Sequence, residues 1–301
     1  MIRRCFMKSN DSYNRSYDYN PHGSVQYDPR RVNYGSNTEV YGPEGKYIFN
    51  QSQTRLMTRS FLITGICFSL IFAIAYGLFE LLYNLYPISQ QVRNLTNVLL
   101  TLGPILILVA NIMGWFMRPR LSSIGFGFMV FATGFYILAN AIGFALVFFG
   151  VKLVEFVDDS YRLIDVVSMF AIGGLMFIAM AAIGKAMSRQ ASIKLGRFLF
   201  FAVIAWIIGS LIISLSFGFG RRGVSPIIMI VSTIISGIIY LLYIVYITSQ
   251  LKQHSEFLAY DNSEKGLLRS LSLSYGFYLL VGLIGLIWSL IHLLFLSKRL
   301  S

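Results

Sequence analysis

Seven long apolar segments constrain this chain more than any other feature of its sequence. A helix needs about 20 apolar residues to cross the hydrocarbon core of a bilayer. The segments are also long and continuous, without the two-residue alternation of a lipid-facing barrel strand. The sequence therefore predicts an all-α integral membrane fold, a bundle of seven transmembrane helices. The predicted spans are Phe61–Tyr83, Val98–Met117, Ile124–Gly150, Leu163–Ile183, Phe198–Phe217, Pro226–Thr248 and Leu271–Leu296.

The composition excludes several classes of protein. Hydrophobic residues make up 56% of the 301 residues and charged residues only 13%, whereas a soluble domain carries about 25% charged residues. The net charge of +12 lies in a polar tail and in short loops, so a nucleic-acid partner is not expected. The two cysteines, Cys5 and Cys67, do not form a disulfide framework. A soluble enzyme, a secreted disulfide scaffold and a DNA-binding protein are therefore excluded.

The chain divides by composition into a tail and a membrane domain. Residues 1–55 contain seven tyrosines among asparagine, serine, glycine and charged residues, without apolar periodicity. Such a segment cannot bury enough apolar surface to offset the entropy of ordering. The sequence predicts a disordered cytoplasmic tail over residues 1–55 and a seven-helix membrane domain over residues 56–301.

The positions of the basic residues predict the orientation in the membrane. Cytoplasmic loops carry an excess of lysine and arginine. If the N-terminus is cytoplasmic, the basic residues that fall on the cytoplasmic side are Arg55, Arg59, Arg118, Arg120, Lys185, Arg189, Lys194, Arg197, Lys252, Lys265 and Arg269. The opposite loops hold fewer basic residues and the acidic residues Glu155, Asp158 and Asp159. We expect a multi-pass protein of the plasma membrane with its N-terminus inside; an internal eukaryotic membrane is the alternative.

Four polar residues inside the predicted spans are candidate functional positions: Glu80, Asn111, Asn140 and His292. Glu80 and His292 lie near the outer ends of their spans, where a polar group can reach the interface or where the two could pair and sense external acidity. Asn111 and Asn140 lie in mid-span, where an amide needs a partner on another helix. They either hold helices together or line a polar cavity.

The predicted spans contain few residues that could form an enzyme active site or a metal site. Nucleophilic catalysis requires a base beside the nucleophile, and a metal site requires three or four converging ligands. The spans contain one histidine and two carboxylates near their ends, so we expect no catalysis, no cofactor and no bound metal. Small residues three or four apart, such as Gly282 and Gly285, predict close helix–helix contacts.

Several stretches resemble a known family. Residues 239–252 read IYLLYIVYITSQLK and residues 270–281 read SLSLSYGFYLLV. Together they resemble the last two helices of the transmembrane Bax inhibitor motif family. The stretches Trp115–Arg120, Ile183–Met187 and Gly196–Leu199 agree with that family in order and spacing, and the resemblance covers residues 56–296.

The resemblance implies seven helices with the last one central, in a family whose members are described as acid-modulated calcium leaks. Two aspartates, late in the sixth helix and early in the seventh, share a proton and gate the pore. In this chain the two positions are Ile247 and Gly276. The acidic position of helix two falls near Ile107 and the basic position of helix seven near Leu286. The resemblance thus implies a retained scaffold without its titrating gate.

Three functions remain open from the sequence. The first is regulation by contact with an integral membrane partner or a membrane protease within the lipid bilayer. The second is a cation leak, with calcium as the possible ion, through a different gate. The third is an unrelated carrier of small solutes, although the chain shows no convincing internal repeat of the kind that carriers favour.

Overall fold

The computed structural model describes residues 45–85, 102–114, 126–155, 162–219, 226–258 and 265–298. Within these ranges the chain is helical, with seven helices and no strand. The helices are α1 Gly45–Leu85, α2 Leu102–Gly114, α3 Phe126–Glu155, α4 Leu163–Ala186, α5 Arg189–Phe219, α6 Pro226–Leu258 and α7 Lys265–Lys298. The chain divides into two units, Met1–Ile48 and Phe49–Ser301. Only the start of α1 is described in the first unit.

Five segments of these helices are long and apolar enough to cross a membrane: Arg55–Leu85, Phe126–Glu155, Leu163–Ala186, Ile227–Ser255 and Leu268–Lys298. The predicted all-α fold is therefore confirmed for the described residues, and the five long apolar segments are compatible with a multi-pass membrane protein. The described part of α2 is shorter, and side chains of α5 are described only as far as Trp206. The count of seven spans stays a prediction.

Helix α1 begins at Gly45, before the boundary at residue 55 that the sequence predicts for a disordered tail. Pro43 is the last proline before Pro87, and a chain without proline can continue its i→i−4 hydrogen bonds beyond the bilayer. Residues 45–55 are thus helical, and the rest of the predicted tail, residues 1–44, lies outside the described residues.

Helices that follow one another in the chain run in opposite directions, so the bundle has two ends. We call one end the entry end: α4 and α6 end there, α5 and α7 begin there, and the apolar part of α1 starts there. At this end Thr64 contacts Gly276 and Gln250 contacts Ser192. At the exit end, α1 and α3 end, α4 begins and α7 ends. There Lys298 forms a salt bridge with Asp165.

Helix α7 makes contacts with five other helices. Every residue from Leu279 to Ile287 is buried, whichever side of the helix it lies on. The contacts are Thr64 with Gly276, Gly114 with Val281, Tyr136 with Phe277, Gly173 with Ile287, and Ile244 with Gly282. An apolar helix that is buried on all sides requires neighbours on all sides, and these contacts supply them.

An aromatic cluster joins α1, α3 and α4 towards the exit end. Phe148 lies 6.3 Å from Phe72, 6.4 Å from Phe79, 6.3 Å from Phe144 and 5.8 Å from Phe170, measured between ring centroids. These separations are in the range at which aromatic rings attract one another. The cluster fixes the spacing of three helices with hydrocarbon alone.

Candidate functional site

Gly276, the second gate position implied by the resemblance, faces α1. A Cβ atom placed on Gly276 would lie 2.7 Å from Ile63 Cγ2 and 3.1 Å from the carbonyl oxygen of Ser60. The Thr64 hydroxyl lies 2.9 Å from the Ser60 carbonyl and 3.1 Å from the Gly276 carbonyl, as a donor to both. The position therefore has no room for a side chain, because α1 and α7 are in direct contact there.

Ile247, the first gate position, is 7% exposed and belongs to the apolar core. The register of α6 on α7 is defined by two glycines of α7. The ring of Tyr240 covers Gly285, and Tyr243 and Ile244 cover Gly282. Ile247 lies one turn beyond Tyr243, on the core side of α6.

The two remaining gate positions are also apolar and buried. Ile107 is 0% exposed and Leu286 is 1% exposed. Ile107 of α2 packs against α3, where its Cγ1 would lie 2.6 Å from a Cβ atom placed on Gly143. All four positions thus have hydrocarbon or bare backbone in place of an ionisable group.

Asn111 and Asn140 each bind to their own helix, and Asn111 also bridges two helices. The Tyr136 hydroxyl of α3 donates to Asn111 Oδ1 of α2 at 2.8 Å, and Asn111 Nδ2 donates to the Ile107 carbonyl at 2.9 Å. Asn140 Nδ2 donates to the Tyr136 carbonyl at 2.8 Å. Asn140 Oδ1 is buried and has no hydrogen bond among the described residues. The Asn111 amide therefore links α2 to α3, and the Asn140 amide leaves one acceptor in the core.

The bridge between Asn111 and Tyr136 gives a measurable prediction. A double-mutant cycle with Asn111→Leu and Tyr136→Phe should give a coupling free energy of about 1 kcal/mol, since interhelical hydrogen bonds in membrane proteins reach about that value. Unfolding of the four proteins in mixed micelles measures it. Additive losses in the two single variants would mean that the bridge contributes nothing.

His292 lies on a polar strip between α6 and α7. Its Nδ1 is 3.2 Å from Thr233 Oγ1, whose own proton goes to the Met229 carbonyl at 2.9 Å. One turn along, Ser236 Oγ and Ser289 Oγ are 3.2 Å apart. The strip joins α6 and α7 by polar side chains at the exit-side half of their contact.

Glu80 is half-buried near the end of α1, one turn after Tyr76, and forms a side-chain hydrogen bond with that residue. The ring of His292 stacks on Trp288, with the centroids 6.1 Å apart. The described contact of Glu80 is thus within α1. The described contacts of His292 are within α7 and, through Thr233, with α6. The suggested pairing of Glu80 with His292 stays a prediction.

A polar cluster at the entry end was not predicted from the sequence. The hydroxyl of Tyr275 on α7 is hydrogen-bonded to His254 Nδ1 on α6, and the same nitrogen lies 3.1 Å from the Gln250 carbonyl. Gln250 Nε2 in turn donates to Ser192 Oγ of α5 at 3.2 Å. On α6, His254 and Gln250 lie seven and three positions beyond Ile247, and on α7 Tyr275 directly precedes Gly276. The sequence contained one usable signal, the run of polar residues from Thr248 to Ser255.

Charge is distributed unequally between the two ends. At the entry end all eight charged side chains that the structure describes are basic: Arg55, Arg59, Lys185, Arg189, Lys194, Arg197, Lys252 and Arg269. The described charges at the exit end are three acidic and three basic. Two of the basic groups are neutralised by the ion pairs Lys152–Glu155 and Lys298–Asp165.

The described residues contain no group of three histidine, cysteine, aspartate or glutamate side chains that could hold a metal ion. A scan against protein-family models finds no match for this chain, and a search of curated proteins finds none either.

Proposed function

We propose that this chain is a seven-span membrane protein that acts by contact with an integral membrane partner or a membrane protease. In this proposal α7 is the central helix of a Bax inhibitor-like scaffold that has lost its titrating gate. The N-terminus lies in the cytoplasm and the host membrane is the plasma membrane. The proposal includes no catalytic step, no cofactor and no metal ion.

The observation that carries the proposal is the packing around the former gate. An acid-sensing gate needs two carboxyl groups close enough to share a proton. Gly276 is covered by Ile63 and Ile247 is buried in the apolar core, so neither position can take up a proton or bind a cation. A bundle with such an interior can still present its outer faces to another protein.

The proposed orientation is supported by the charge distribution of the folded bundle. All eight described charges at the entry end are basic, and lysine and arginine are retained on the cytoplasmic side during membrane insertion. A cysteine introduced next to Arg59 should therefore be protected from an impermeant thiol reagent in intact cells, and one introduced next to Arg162 should be labelled. The reverse labelling pattern would contradict the orientation.

A flux assay tests the loss of the gate. The purified chain in calcium-loaded liposomes should release no calcium when the external pH is lowered from about 8 to about 5, because the gate positions cannot titrate. Fluorescence of a calcium indicator measures the release. Acid-stimulated release from the wild-type chain would contradict the proposal.

Photo-crosslinking tests the contact function. A photoreactive residue would replace one strongly exposed apolar side chain at a time, namely Phe131 (71% exposed), Leu175 (70%) or Ile178 (66%). Contact with a specific partner should give one discrete protein adduct from one helix face and only lipid adducts from the other. Lipid adducts from α3 and α4 alike, and from further exposed positions on α1 and α6, would contradict the contact function.

The polar strip between α6 and α7 favours a cation leak as the second candidate. Thr233, Ser236, Ser289 and His292 place hydroxyl and imidazole groups along one helix pair. If these residues form a conducting path, His292→Ala should abolish the leak in the same liposomes, and His254→Gln at the opposite end should leave it intact. Equal leaks from all three proteins would exclude His292 as the gate.

A further inference from the structure

The end of α4 and the first three turns of α5 carry a concentrated positive charge. Lys185 at the end of α4 and Arg189, Lys194 and Arg197 on α5 are all exposed. None of the four forms a salt bridge in the part of the chain that the structure describes. The patch also contains the start of α5, the end of the helix dipole that carries partial positive charge.

The face of α5 that carries this charge points away from the bundle. Ser192 and Gly196 face α6, where Ser192 accepts a hydrogen bond from Gln250 and Gly196 lies under the ring of Tyr246. At 100° per residue, Lys194 and Arg197 lie on the opposite side of the helix. No described residue of the bundle covers them.

Two aromatic side chains follow the two cations at the same spacing. Phe198 comes four residues after Lys194, and Phe201 comes four residues after Arg197. Residues four apart share a helix face and are separated by about 6 Å along the axis. Phe198 is 59% exposed and Phe201 is 69% exposed. The surface thus has paired cations at its outer edge and paired rings one turn deeper.

We infer that this surface, Lys194, Arg197, Phe198 and Phe201, is a binding site for an anionic phospholipid. The phosphate and the acidic headgroup lie between Lys194 and Arg197, with Lys185 and Arg189 adding to the positive potential. The acyl chains lie on Phe198 and Phe201. The inference concerns the outer face of α5 and does not depend on the proposed contact function or on the direction of insertion.

The order of the groups along α5 favours a lipid over an acidic protein segment. A phospholipid carries its charge at one end and its hydrocarbon at the other, in the same order and over the same depth as this surface. A soluble acidic peptide would use the cations but would leave two exposed rings uncovered. Lysine and arginine at a membrane surface also attract anionic lipid.

Native mass spectrometry of the full-length chain tests the inference. The protein is released from detergent with equal amounts of phosphatidylglycerol and phosphatidylcholine that have identical acyl chains. Wild type should retain phosphatidylglycerol preferentially. The double variant K194Q/R197Q should reduce that preference about 30-fold, and the charge-conserving variant K194R/R197K should keep it.

The control is K252Q/R269Q, which removes the same charge at the same end of the bundle from α6 and α7. It should keep the preference of the wild type. An equal loss in this control would overturn the inference, because charge anywhere at the entry end would then suffice. Competition by glycerol phosphate or by a polyglutamate peptide at the concentration of the lipid would also overturn it, since neither ligand has acyl chains to place on the rings.

Discussion

Replacing Gly184 by leucine is expected to destabilise the bundle by about 3 kcal/mol. Gly184 lies where α4 passes α6 at backbone distance. A Cβ atom there would be 2.5 Å from the Val245 carbonyl oxygen and 2.8 Å from Thr248 Cβ. Because one of the obstructing atoms belongs to the backbone, no change of rotamer relieves the clash, and the two helices must move apart. Thermal unfolding of the purified protein in detergent measures the loss.

The matched control for this substitution lies on the same helix. Gly174→Leu makes the same chemical change at a position where a Cβ atom meets nothing within 4 Å. Its melting temperature should equal that of the wild type or exceed it, because glycine is a poor helix former. If the two variants lose the same stability, helix propensity or surface hydrophobicity dominates, and the close approach of α4 and α6 is not a source of stability.

Replacing Phe148 by alanine should destabilise the bundle by a similar amount, through a cavity instead of a steric clash. Phe148 is fully buried and its ring touches four others, on α1, α3 and α4. Its removal leaves a cavity at the junction of three helices, at an expected cost of about 3 kcal/mol. In a membrane protein the loss comes mainly from packing, because the unfolded reference state is also surrounded by hydrocarbon.

Phe131→Ala is the control for this cavity. Phe131 lies on the same helix and is 71% exposed, so the same atoms are removed from a lipid-facing position. Chemical unfolding in mixed micelles should separate the two variants by most of the expected 3 kcal/mol. Equal stability of F148A and F131A would show that the aromatic cluster repacks without cost.

The secondary structure followed from the sequence because hydrocarbon leaves the backbone few options. Each N–H and C=O group inside a bilayer must bind within its own segment, and only helices and closed barrels satisfy this requirement. The helix ends were harder to place. Helix α6 continues to Leu258 and α5 begins at Arg189, well beyond the apolar segments, since the same hydrogen bonds persist in polar sequence.

The sequence predicted which polar residues of the candidate site would need a hydrogen-bond partner, but not which residue that partner would be. Asn111 was expected to need a partner on another helix, and that partner is Tyr136 of α3. Nothing in the sequence indicates this pairing, because these helices are apolar around their whole circumference and their periodicity does not identify an inward face. The contact between His254 and Tyr275 was missed because it joins two helices, and the sequence does not give the register of α6 on α7.

The sequence by itself determined that the chain is all-helical and has several membrane-spanning segments, and that the implied gate positions lack ionisable groups. These are properties of single segments and single residues. Only the tertiary structure decided that Gly276 faces α1, that Asn111 meets Tyr136, and that the exposed cations of α5 lie beside exposed rings. Such facts depend on how each helix is rotated and shifted against its neighbours. Close packing of small and large side chains fixes that register, and it is a property of pairs of helices rather than of any one of them.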